Sequence, residues 1–134
     1  LFQIVLYNPH NNFDYKTWAI IDTGADTTVI PEYIAKSLYH DIRHPKVRRD
    51  TSFGIGGAVE VYMHTFSMEI LYSDSAGKID PNKVVIKIPP KKFPVVPDLH
   101  IVILGQNDFL KKYVLIVNYP RYIFSVKKSS GNDF

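Results

Sequence analysis

Three consecutive residues, Asp22-Thr23-Gly24, close the short apolar run Ala19-Ile20-Ile21. A strand of that kind delivers a carboxylate from the core onto a turn, and the glycine lets other backbone approach it closely. Such an acid can take a proton from water or donate one. Taken alone, the triplet is also what an ordinary turn looks like. A second cluster, Gly54-Ile55-Gly56-Gly57, precedes a long segment starting at Val59. It lacks the Gly-Lys-Ser/Thr ending and the strand-to-helix setting of a phosphate loop, and reads as the tip of a β-hairpin. Further on, Ile101-Val102-Ile103-Leu104 is unbroken in its apolarity and ends at Gly105, as expected of a strand buried on both faces.

Three stretches in this order, Ala19-Ile20-Ile21-Asp22-Thr23-Gly24-Ala25-Asp26, Phe53-Gly54-Ile55-Gly56-Gly57 and Ile103-Leu104-Gly105-Gln106-Asn107, resemble the retropepsin-like aspartic proteases. The similarity runs from about Trp18 to Tyr119, most of the chain. It implies a mainly β fold: a closed β-barrel of the retropepsin-like acid protease type, with one or two short helices and one lobe per chain. It implies that Asp22, Thr23 and Gly24 form the catalytic turn, with Asp22 the catalytic acid and Thr23 tying two such turns across a dimer axis. Ala25, Asp26, Gly54, Ile55, Gly56, Gly57 and Ile103 would meet an extended polypeptide substrate, with Val29, Ile30 and Ile101 as further apolar walls. Gly105 would pack behind the catalytic turn, where a larger side chain would collide. No cofactor and no metal are implied. Gln106 stands where several viral members carry an arginine that meets the charge of the Asp26 position, so a weaker or differently arranged dimer is expected. The helix after Pro31 and the long connections around the flap, at about 51–63, lean toward a cellular or bacterial member.

Peptide hydrolysis by water needs one carboxylate to accept a proton from water and another to protonate the scissile carbonyl. The chain has no second Asp-Thr-Gly or Asp-Ser-Gly; Asp74-Ser75-Ala76-Gly77 is one residue too long. The partner carboxylate is therefore expected from a second copy in a homodimer, where two close carboxylates share one proton. Ala25 has no hydroxyl to stabilise the ionised form, so a mildly acidic optimum is expected. The alternative is an inactive member of the same fold, serving as a dimerisation or peptide-binding module.

Composition narrows the remaining classes. With 134 residues, 46% apolar and 22% charged, the chain suits one globular domain. The absence of cysteine excludes disulfide scaffolds, thiol nucleophiles and thiolate metal sites. A net charge of +3 is too small to demand nucleic acid, although a small basic barrel binding RNA or single-stranded DNA is a rival reading. Lys46, Arg48 and Arg49, and the pairs Lys91-Lys92 and Lys111-Lys112, read as solvated loops and helix ends. His40 and His44 lie four apart but lack the glutamate of a zinc protease, and read as surface histidines. No apolar run reaches the roughly 20 residues of a membrane-spanning helix, and Leu1–Tyr7 lacks a basic leader. A cytoplasmic location is expected. Because the chain starts at Leu1, it also reads as a product excised from a longer or membrane-anchored precursor.

The positioning elements follow from short apolar runs between Pro, Gly, Asn and Asp clusters. Strands are predicted at Phe2–Tyr7, Thr17–Asp22, Thr28–Ile30, Val59–Tyr72, Lys83–Ile88, His100–Leu104, Val114–Asn118 and Tyr122–Val126. The segment Val59–Tyr72 changes apolar parity, predicting a bulge near His64-Thr65. Helices are predicted at Glu32–Leu38, behind Pro31, and over Gln106–Lys112. Ser73–Gly77 and Pro89–Lys92 read as loops, and residues 127–134 as a polar tail beyond the 1–126 domain.

Overall fold

The computed structural model describes residues 2–22, 24–54, 57–73, 79–105, 113–118 and 123–128. In chain order the elements are β1 (Phe2–Tyr7), β2 (Asp14–Ile21), β3 (Ile30–Pro31), α1 (Glu32–Ser37), β4 (Arg49–Gly54), β5 (Gly57–Ser73), β6 (Ile79–Val96), β7 (Val102–Leu104), β8 (Tyr113–Asn118) and β9 (Ile123–Lys128). The protein is mainly β. One sheet runs β3-β6-β5-β1-β2-β7, with β4 also paired to β5, and β8 and β9 pair with each other in a second sheet. The predicted helix over 106–112 lies outside the described residues, as do 74–77 of the predicted loop.

The ladders form an open mixed sheet rather than the expected closed barrel. Among the described residues its ends, β3 and β7, are joined by a single antiparallel bridge, between Val29, just before β3, and Ile103. A longer seam is cut short at Pro31, which has no N–H to donate and stands at the N-cap of α1. The core lies on one face of the sheet, where Ile4, Leu6, Ala19, Phe66, Phe93, Val102 and Leu104 pack with Ile34, Ala35 and Leu38 from α1 and its C-terminal end.

Strand β4 forms where the sequence reading placed no strand, and two further strands differ from expectation for identifiable reasons. Along β5, Tyr62, His64, Phe66, Met68 and Ile70 alternate inward without a break, so the irregularity predicted near His64-Thr65 does not fall at that pair itself but just beyond it. The apolar pattern faltered there because a histidine occupies an inward site, its Nε2–H donating to the Ile42 carbonyl at 3.0 Å. The register instead shifts between Phe66 and Met68, which face Lys91 and Ile88. Pro89 and Pro90 fall in that gap, where their missing N–H groups leave no ladder bond unmade, so Pro89–Lys92 continues β6 rather than looping out.

Helix α1 ends at Leu38 because Tyr39 adopts a left-handed conformation, with φ of 63°. The freed Leu38 carbonyl accepts from Asn8 Nδ2 at 2.8 Å and Asn11 Nδ2 at 3.0 Å, fastening the helix end to the β1–β2 turn. His40 follows. Its ring packs 4.9 Å from His64 and 4.6 Å from Phe66, centroid to centroid, so it is not the surface residue its spacing from His44 suggested.

Burial, reinforced by His64 and His10, pushes the His40 imidazole down to about 4 from 6.5. His64 is lowered too, chiefly by burial. Unfolded chains take up the His40 proton as pH falls through 6.5 while the folded protein resists until about 4, and His64 acts in the same direction, so stability should decline across that window. Thermal unfolding followed from pH 8 to pH 4 checks this. Tm should fall on the acid side, and His40→Gln should flatten the fall.

Candidate active site

Asp22 is the first residue beyond β2, and its placement follows from the pairing of β2 with β7. These strands run parallel, with Ala19 opposite Val102 and Ile21 opposite Leu104, so both deliver their C-terminal ends to the same place. The Asp22 N–H extends that ladder by donating to the Leu104 carbonyl at 3.1 Å. The chain then turns. Gly24 N–H donates to Asp22 Oδ1 at 2.9 Å, and Ala25 N–H donates to the Asp22 carbonyl at 3.1 Å. The Asp22 side chain is thus held by its own turn while remaining exposed to solvent. Ala25 is half-buried and Asp26 exposed on the same loop; Thr23 lies outside the described residues.

The loop returns on the far side of β7. Val29 and Ile103 exchange both backbone hydrogen bonds, at 2.9 and 3.2 Å, so Ile103 has Ile20 on one flank and Val29 on the other. Just before that bridge, the fully buried Thr28 places its Oγ1 2.9 Å from the N–H of Gly105. Gly105 is pressed into the loop: a methyl built on its Cα would lie 2.4 Å from the Thr27 carbonyl carbon and 2.8 Å from the Thr27 nitrogen. Only glycine fits, because the obstacle is backbone and cannot rotate away.

The glycine cluster occupies a separate hairpin. β4 and β5 pair from Arg49 opposite Tyr62 to Gly54 opposite Gly57, a two-residue connection whose members, Ile55 and Gly56, lie outside the described residues. Gly57 has φ of 96°, a conformation that favours glycine. From Gly57 to Glu60 the hairpin is exposed, while its base is packed: Tyr62 lies beneath the guanidinium groups of Arg43 and Arg49, which pair with Glu32 and Glu60.

The structure therefore gathers Asp22, Gly24, Ala25, Asp26 and Ile103 around the end of β7, and puts Gly54 and Gly57 at the end of the hairpin. Thr28 was assigned in the sequence only to the start of a strand. Its signal was weak, a hydroxyl before the apolar pair Val29-Ile30, and its bond to Gly105 joins residues far apart in the chain. A depression of about 360 Å³ lined by Tyr7, Ser67, Glu69, Lys87 and Pro89 sits elsewhere, since Tyr7 pairs with Asp14 at the opposite end of β2 from Asp22. No family model matches the chain, and no curated protein matches it.

Replacing Gly105 by alanine should force the Thr27 backbone away and destabilise the fold by about 3 kcal/mol, within the range of severe overpacking. Denaturant unfolding checks this. A Gly105→Ala protein as stable as the wild type would show that the loop yields without cost.

Proposed function

We propose that the chain is one half of a homodimeric aspartic endopeptidase of the retropepsin-like type. The observation that carries this reading is the Asp22 turn, wrapped around the end of β7 and anchored there on both sides, with its carboxylate exposed. The bridge between Val29 and Ile103 supports the finer fold assignment, because it brings the two ends of the sheet together in the manner of an incipient barrel. The hairpin of β4 and β5 supports a flap, its exposed end glycine-rich and its base fixed by Tyr62.

In this mechanism Asp22 and its counterpart from a second copy lie across a twofold axis and share one proton. The ionised carboxylate takes a proton from water as its oxygen attacks the scissile carbonyl carbon, while the protonated one gives its proton to the carbonyl oxygen. The resulting tetrahedral diol collapses as the carboxyl that took the water proton passes it to the amide nitrogen while the other carboxylate takes a proton from a diol hydroxyl, and the C–N bond breaks. An extended substrate would pair its backbone with the hairpin, in the manner of an added strand, while Ile103 and its neighbours take apolar side chains. Ala25 leaves the carboxylates without a hydroxyl donor, consistent with a mildly acidic optimum.

Incubation with a mixed peptide library tests the assignment. The wild type should cut extended peptides, with a rate per chain that rises with protein concentration, and Asp22→Asn should lower turnover by about 10³-fold. Full activity from a species that sediments as a monomer, or retained turnover in Asp22→Asn, would overturn it.

A further inference from the structure

We propose that Thr28 is the positioning residue of the Asp22 site, acting through a single peptide unit, Leu104–Gly105; the catalytic half of this inference rests on the protease reading above. The carbonyl of that unit accepts from the Asp22 N–H at 3.1 Å, and its N–H donates to Thr28 Oγ1 at 2.9 Å. Both polar groups of one planar trans peptide are thereby held, one by the first residue of the loop and one by the seventh. Because the C=O and N–H of a trans peptide point in opposite directions and cannot rotate independently, fixing the N–H fixes the carbonyl. The carbonyl in turn sets where the Asp22 backbone, and with it the carboxylate, sits.

Three further observations isolate Thr28 as the element that makes this clamp. Its side chain is fully buried, so water cannot replace the hydroxyl. Gly105, without a side chain, has none of its own to steady the peptide plane and leans directly on the Thr27 backbone. The Val29–Ile103 bridge delivers Thr28 to its place but touches neither Asp22 nor Gly105. Removal of the hydroxyl leaves the Gly105 N–H buried without this acceptor and the peptide free to tilt, which moves Asp22 before it unfolds anything. A displacement of the reacting carboxylate by a fraction of an ångström affects turnover more than substrate binding.

The test uses the full chain with Thr28→Val, which keeps the shape and loses the hydroxyl, and Thr28→Ser, which keeps the hydroxyl. Amide hydrogen exchange by NMR should show Asp22 and Gly105 protected in the wild type and in Thr28→Ser. In Thr28→Val both should exchange faster by about tenfold or more, while the amides of β1 and β5 keep their protection. With cleaved peptides as substrate, Thr28→Val should lower kcat by about 10- to 100-fold with KM within about twofold, and Thr28→Ser should restore it. Unchanged Asp22 and Gly105 protection in Thr28→Val, a Gly105 amide that exchanges in the wild type as fast as an exposed loop, or a Thr28→Ser protein no better than Thr28→Val would each overturn the proposal. The exchange rates need no activity, so a wild type that cleaves nothing overturns the protease reading while the clamp is judged on protection alone.

Discussion

The Leu104–Gly105 peptide is the constraint on which the rest of the site depends. A buried N–H and a buried C=O each need a partner, and here the two partners are the opposite ends of one loop. The loop that carries Asp22 is consequently defined by what it encircles. Gly105 must be glycine for the same reason that Thr28 must carry a hydroxyl: the loop is drawn so close to the end of β7 that there is room for a hydrogen bond and none for a methyl group.

Everything behind that unit serves to hold β2 and β7 side by side. Ala19, Val102 and Leu104 are fully buried, and they pack with the chain of inward residues that crosses β1 and β5 to Phe66 and Phe93. Parallel strands need a long crossover between them, and β2 reaches β7 only after the chain has built α1, the β4–β5 hairpin and β6. The site is assembled from residues distant in sequence, so its geometry depends on the whole core rather than on any local preference.

The outer parts of the sheet are built against unwanted pairing. Of β6, only Val95 and Val96 pair with β3, and the long remainder toward Lys87 carries Pro89, Pro90 and Pro94 with Lys87, Lys91 and Lys92. Missing donors and repelling charges are the usual protection of an edge. The β4–β5 hairpin is different in character: the described part of its end exposes Gly57, Ala58, Val59 and Glu60.

Much of this was legible in the residues themselves. The apolar run ending at Asp22, the run ending at Gly105, the helix behind Pro31 and the hairpin tip at Gly54–Gly57 all follow from local rules of burial, capping and turn formation, because those rules act within a few residues. The continuity of β6 through Pro89-Pro90 did not, since whether a proline breaks a strand depends on whether its partner needs the missing N–H. His64 was read as a fault in the pattern, although a buried imidazole with a carbonyl acceptor at hand is an acceptable inward residue. Only the tertiary structure could join Thr28 to Gly105, or bring the sheet ends together at Val29 and Ile103 without sealing them, because such bonds exist only after the core has brought remote segments within hydrogen-bonding distance. The chain by itself singled out the candidate residues; their mutual geometry was decided by packing, which no short stretch of sequence contains.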